Sequence, residues 1–159
     1  MKQTVRRLSI FVALAVLAYG AVVQAAPKKV APDPKGVQVV NELLAALAQT
    51  DDKARLEAVL PVMHKSMLTS DGKDLAPNVK NYSYKKACQN VQFYAQPAAI
   101  GEVHELSEQT VGFRETAERG IVFKYFVKKK EGVAGMPAPI HVLFPSDGGT
   151  PKCINIGSL

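Results

Sequence analysis

The hydrophobic period of this chain changes once, near Pro97, and that change restricts the fold more than any other feature. Before it, apolar residues recur at helical spacing. In "GVQVVNELLAALAQTDD", Val37, Val40, Leu44 and Leu47 form one stripe, widened by Val39, Leu43 and Ala46, which predicts a helix over 37–49. After it, "AAIGEVHEL", "QTVGFRE", "GIVFKYFVKKK", "APIHVLF" and "KCINI" are rich in β-branched and aromatic residues and are separated by Gly, Pro, Ser and Asp, the grammar of strands and turns. Helices followed by strands predict the α+β class, with the apolar side of a mostly antiparallel sheet laid against three N-terminal helices.

Two more helices complete the first half. Thr50, Asp51 and Asp52 offer capping oxygens to "DKARLEAVL", which Pro61 ends or kinks. "SYKKACQNVQFY" places Tyr84, Ala87, Cys88, Val91 and Tyr94 on one helical face and turns Cys88 inward. Residues 62–80 stay unassigned, because Met63 and Met67 suit a helical turn while "SDGKD" signals a turn between extended pieces. In the second half, Ile121, Phe123, Tyr125 and Val127 share one strand face, as do Ile140, Val142 and Phe144, and these sets are the expected floor for the helices. Gly112 is expected to mark a bulge or bend. Val122, Phe126 and Leu143 fall on the opposite face, where an apolar patch suits either a homodimer contact or scattered exposed residues.

The N-terminus reads as an address. Lys2, Arg6 and Arg7 precede an uncharged run from Leu8 to Val23 and the small-residue exit "VVQAAP", the pattern of a signal peptide spanning 1–25 and cleaved after Ala25. A retained anchor is the alternative, but sixteen residues fall short of the roughly 20 that a spanning helix needs. The short charged start and Ala-rich exit point to bacterial export, periplasmic or secreted, with membrane contact only through the precursor segment. Residues 26–36, "APKKVAPDPKG", hold three prolines and no apolar period, and are expected to form a linker before a single domain over 37–159. Cleavage removes three of the 20 basic residues and none of the 14 acids, leaving a net of +3. That modest charge gives no footing for a nucleic-acid partner.

The stretch "FPSDGGTPKCINI" packs an acid, two glycines, a lysine and Cys153 into one turn. GxxxxGK with a following Ser or Thr is missing, and Asp147 stands alone where a calcium loop needs several alternating oxygens, so Asp147-Gly148-Gly149 reads as a hairpin turn. Cys153 then returns on a strand, and Cys88 is the only other cysteine. In an exported chain the pair reads as a disulfide that closes a loop of about 65 residues and stabilises the fold by about 4 kcal/mol in the chain-entropy model. A nucleophilic thiol would need a base, and nothing in sequence pairs His64, His104 or His141 with either cysteine.

Other constellations carry less. "HELSE" at 104–108 lacks the second histidine of HExxH. Lys128, Lys129 and Lys130 close a strand as a solvated end, a membrane-surface or polyanion role being the alternative. "NYS" at 81–83 is a sequon only in a eukaryotic route; otherwise Asn81 and Ser83 are helix-entry residues. No motif implies a cofactor, a metal site or a named catalytic residue.

The order of elements, an apolar helix, a short helix, an ambiguous piece, the helix "YSYKKACQNVQFY" and then long strands ending in a hairpin, resembles the nuclear transport factor 2-like superfamily, which includes SnoaL-like and ketosteroid-isomerase-like proteins. The resemblance covers about 37–158, and a cystatin-like arrangement is its nearest competitor. It implies a cone-shaped α+β barrel with a cavity between helices and sheet, used by relatives for isomerase, dehydratase or cyclase chemistry or for binding alone. The isomerases of that group use an Asp base with a Tyr and a protonated Asp. The first helix here carries no Tyr or Asp between Val37 and Gln49, so no catalytic residue transfers. Two expectations follow: a non-catalytic exported domain that binds a small apolar ligand or an envelope partner, or a small lyase or isomerase using Tyr94, His104 or Tyr125 as a pocket acid–base group.

Overall fold

A computed structural model describes residues 27–157 and 159. The proposed signal peptide lies outside the described residues. Among those described, no helix is long and apolar enough to cross a membrane.

The chain enters as a strand. Lys28–Val30 (β1) pairs antiparallel with residues 103–105, Val30 opposite Val103, so the stretch expected to be a linker is an edge of the sheet. Asp33 follows as the N-cap of α1 (Pro34–Leu47), its Oδ1 accepting the amides of Lys35 (2.8 Å) and Gly36 (3.4 Å), with Pro34 at the first helical position. Capping and proline therefore start the helix three residues before its apolar stripe. Along that stripe Val40, Leu43, Leu44 and Leu47 are buried. α2 (Asp52–Val59) is capped by Asp51, which accepts the Ala54 amide at 2.8 Å, and the α-helical pattern gives way to a 3₁₀ turn over Leu60–Val62 that contains Pro61.

Residues 62–80 form a strap of turns. Met63 pairs in parallel with Cys153, a 3₁₀ turn spans Lys65–Met67, and Leu68 bridges Leu75 around a turn closed by the Thr69 amide on the Asp74 carbonyl (2.8 Å). A wide π-type turn, Val79–Tyr84, then runs into α3 (Lys85–Asn90) and a 3₁₀ turn at Val91–Phe93. The face drawn from the sequence holds: Ala87, Val91 and Tyr94 are buried, while Tyr84 and Cys88 lie half-buried beside them.

The remaining strands are β2 (Ile100–Val111), β3 (Glu118–Val127), β4 (Ala138–Pro145) and β5 (Lys152–Asn155). They form an open, wholly antiparallel sheet in the order β1-β2-β3-β4-β5. With α1, α2 and α3 this is an α+β fold. Two runs expected as separate strands are the single strand β2, which absorbs an irregularity between Glu105 and Glu108. Gly112 (φ 87°) marks the expected bend, at the end of β2, where the Thr116 carbonyl oxygen would stand 2.3 Å from any Cβ. The Asp147-Gly148-Gly149 turn joins β4 to β5, with Gly148 at φ 82° and the Gly149 amide on Asp147 Oδ1 (2.9 Å).

The inner face is the expected one except at Ile121, which is exposed. Tyr125, Val127, Ile140 and Val142 meet the α1 stripe in one core, and Phe123 stacks edge-on against Phe144 at 4.9 Å. The opposite face differs from expectation. Val122 and Leu143 are 0 % exposed in the single chain and Phe126 is half-buried, so only Phe126 of that trio offers surface to a second copy.

Candidate functional site

Where α2 and α3 diverge they leave a surface groove of about 590 Å³. Leu56 and Tyr84 supply its apolar floor, and Lys53, Lys80 and Lys85 stand around it. Three polar groups converge within. Arg55 is positioned by the turn between α1 and α2: its Nε donates to the Gln49 carbonyl (2.7 Å) and its Nη1 to Asp52 Oδ1 (2.6 Å). Tyr84 and Cys88 stand one helical turn apart, so both side chains lie on the same flank, beside the Arg55 guanidinium. Burial, and after it the neighbouring Cys88 thiol, push the Tyr84 hydroxyl up to about 12. The phenol therefore stays protonated and can donate a hydrogen bond.

Lys80 is paired with Asp74, and Lys53 stands 3.9 Å from Glu57. The one acid among the lining residues, Asp52, is already tied to Arg55. A cation-rimmed groove with an apolar floor can hold an anion attached to an apolar body. Spacing put Tyr84 and Cys88 on one helical face, read as turned inward and not as a site, and gave no sign of Arg55, whose approach depends on the packing of two helices.

Of the three expected pocket residues, His104 lies on the opposite face of the sheet from the buried Tyr125. Tyr125 projects from β3 into the core, 0 % exposed, and among the described residues its hydroxyl has no well-formed hydrogen bond, although the Asp33 backbone lies near it. Burial, then the Asp33 charge, push it up to about 12. Tyr94 is buried at the end of the third helical segment, where it bridges Lys129, and burial raises its hydroxyl too. His104 sits on the other side of β2, its Nε2 3.2 Å from Glu102 and its ring 5.1 Å from Phe126. The sheet lies between His104 and Tyr125, so these two form no acid–base pair.

The expected disulfide is a correction: Cys88 and Cys153 are both free thiols. Cys153 faces the core from β5, between Val142 and Met63, whereas Cys88 lines the α2–α3 groove. Burial pushes the Cys153 thiol up to about 12. We therefore expect a thiol reagent to find one reactive cysteine, Cys88, in native protein and two after unfolding; no free thiol in either state would show the bridge instead.

A second polar node was not legible in the sequence. His64, 1 % exposed, lies 2.8 Å from Ser66 Oγ through Nδ1 and 3.0 Å from Glu118 Oε2 through Nε2. The order Ser–His–Glu matches a hydrolase triad in composition. Its geometry serves another purpose, because Nδ1 accepts the Ser66 amide (3.1 Å) as the cap of a 3₁₀ turn. That leaves the ring proton on Nε2, donated to Glu118. The His64 amide in turn donates to the Cys153 carbonyl (2.8 Å), so the residue fastens the strap to β5 and β3 together. Its pattern with Ser66 is local, but Glu118 is 54 residues away and no spacing announces it.

Among the described residues, no group of three or more His, Cys, Asp or Glu side chains is placed to hold a metal. Compared with family models, characterised proteins and solved structures, the chain matches none.

Proposed function

We propose that this chain is an exported, non-catalytic domain that binds a small ligand with an apolar body and an anionic head in the α2–α3 groove. The observation that carries the reading is the convergence of Arg55, Tyr84 and Cys88 beside Leu56, inside a ring of lysines. Its volume of about 590 Å³ lies within the usual range for small-molecule sites, roughly 300–1,000 Å³. The space between helices and sheet, which proteins of the nuclear transport factor 2-like type use for ligands, is occupied here by Leu43, Leu44, Tyr125 and Ile140, all fully buried. That packing moves the ligand to the outer groove. The parallel pairing of Met63 with Cys153 beyond β5 supports a sheet that curls around the helices, as in the cone-shaped fold. Export rests on Lys2, Arg6, Arg7 and the uncharged run after them.

Titration with decanoate, followed by amide chemical shifts, tests the site. Shifts are expected to cluster at Leu56, Tyr84 and Cys88, and bound decanoate should slow thiol labelling of Cys88. Lys85 is exposed on the rim, and Lys85→Glu should weaken binding about tenfold through loss of attraction and added repulsion. Shifts confined to another surface, or unchanged affinity in Lys85→Glu, would remove the groove from the account.

A further inference from the structure

The face of the sheet turned away from the helices carries a line of nitrogenous side chains. Register places Lys29 opposite His104, His104 opposite Lys124, and Lys124 opposite His141, one residue from each of four strands. With strands about 4.8 Å apart, the line is roughly 14 Å long. The flanking row is Glu102, Phe126 and Pro139. Glu102 is the one carboxylate in the two rows, and it is engaged by Lys29 at 2.8 Å and His104 at 3.2 Å.

Toward the β3–β4 connection this face becomes both more basic and more apolar. A groove of about 400 Å³ is lined by Phe126, Met136, Pro137 and Lys128, and Met136 is 85 % exposed. Lys128 and Lys130 are exposed beside it, with Glu131 as the single acid of residues 128–137. Lys129 is tied back, its Nζ donating to the Ala134 carbonyl (2.9 Å), which braces the loop that presents Met136. Lys124 Nζ lies 4.9 Å from the Phe126 ring centroid, so aromatic surface and positive charge reach solvent together.

We infer that this face docks on an anionic phospholipid surface, with Met136 and Phe126 entering the interface and Lys124, Lys128 and Lys130 set among the headgroups. Charge complementarity selects the occupant. A second copy meeting the same face would bring lysine rows together, which repels, and an apolar partner would leave those charges unanswered. A planar array of negative headgroups meets the line and the loop at once, and the unbranched Met136 side chain is suited to acyl chains. The inference is independent of the α2–α3 groove and adds a membrane contact that does not use residues 1–25.

Vesicle co-sedimentation tests it, with the purified protein carrying the same N-terminus in every variant. Wild type is expected to partition onto phosphatidylcholine vesicles that contain phosphatidylglycerol and much less onto phosphatidylcholine alone, and added salt should weaken the binding. Lys128→Ala with Lys130→Ala should lower the partition coefficient about 25-fold, at about fivefold for each lysine. Met136→Ser should lower it severalfold. All three side chains are exposed, and unchanged far-ultraviolet circular dichroism will exclude misfolding. Equal partition onto neutral vesicles, wild-type partition in the double variant, or binding to soluble polyglutamate with none to vesicles would overturn the inference.

Discussion

Replacing Gly36 by alanine is expected to lower the stability of this fold by about 3 kcal/mol, although alanine is the better helix former by about 1 kcal/mol. A Cβ at this position would stand 1.8 Å from the Tyr125 hydroxyl oxygen and 2.4 Å from its Cζ. Tyr125 is 0 % exposed, and in a close-packed interior its ring has little room to retreat, so β3 or α1 is expected to move. Tyr125→Phe separates the two contributions. Alone it removes a buried hydroxyl that has no well-formed hydrogen bond among the described residues, and is expected to leave stability unchanged or raise it by about 1 kcal/mol. Combined with Gly36→Ala it should recover only part of the loss, because the Cζ contact remains. Urea denaturation of the four proteins gives the coupling directly. A Gly36→Ala protein as stable as wild type would show that α1 does not pack on Tyr125 in this way.

The second large effect is expected at His64. Removing the ring in His64→Ala takes away the cap on the Ser66 amide and the bond to Glu118, and opens a void at a site 1 % exposed; about 2 to 3 kcal/mol should be lost. Acid should act on the same residue. Burial holds His64 below its ordinary value of 6.5, outweighing the opposing pull of Glu118. His141 is displaced the same way, by burial and then by Lys124. Below 6.5 the unfolded chain therefore binds more protons than the folded one, so stability falls as pH drops through that value and levels off once the folded histidines also protonate. The urea midpoint should be lower at acid pH than above neutrality, and His64→Ala should show a shallower dependence. A midpoint that rises on acidification would reverse the sign assigned to both histidines.

Much of the architecture could be read from neighbouring residues. The stripe from Val40 to Leu47, the turn at Asp147-Gly148-Gly149 and the inner set Tyr125, Val127, Ile140 and Val142 all follow from periods of 3.6 or 2. The misreadings share a cause. Lys28–Val30 looks like a linker because β2, its partner among the described residues, lies more than seventy residues away. Val122 and Leu143 alternate as outward residues should, yet are fully covered, and alternation carries no information on what lies over a face.

The candidate site was less visible still. Tyr84 and Cys88 share a helical flank that spacing reveals, but their meeting with Arg55 depends on how α2 lies beside α3. Cysteine arithmetic made Cys88 and Cys153 partners because it counts sulfurs and cannot measure their separation.

From its sequence alone this chain had its secondary-structure classes, helix caps and strand faces determined, because those depend on residues within a few positions of one another. Tertiary structure alone decided that Glu118 answers His64, that Gly36 yields space to Tyr125, and that the α2–α3 groove is where polar groups converge. Those contacts join residues brought together only by strand register and helix packing, and a linear pattern does not specify distances between separately folded elements.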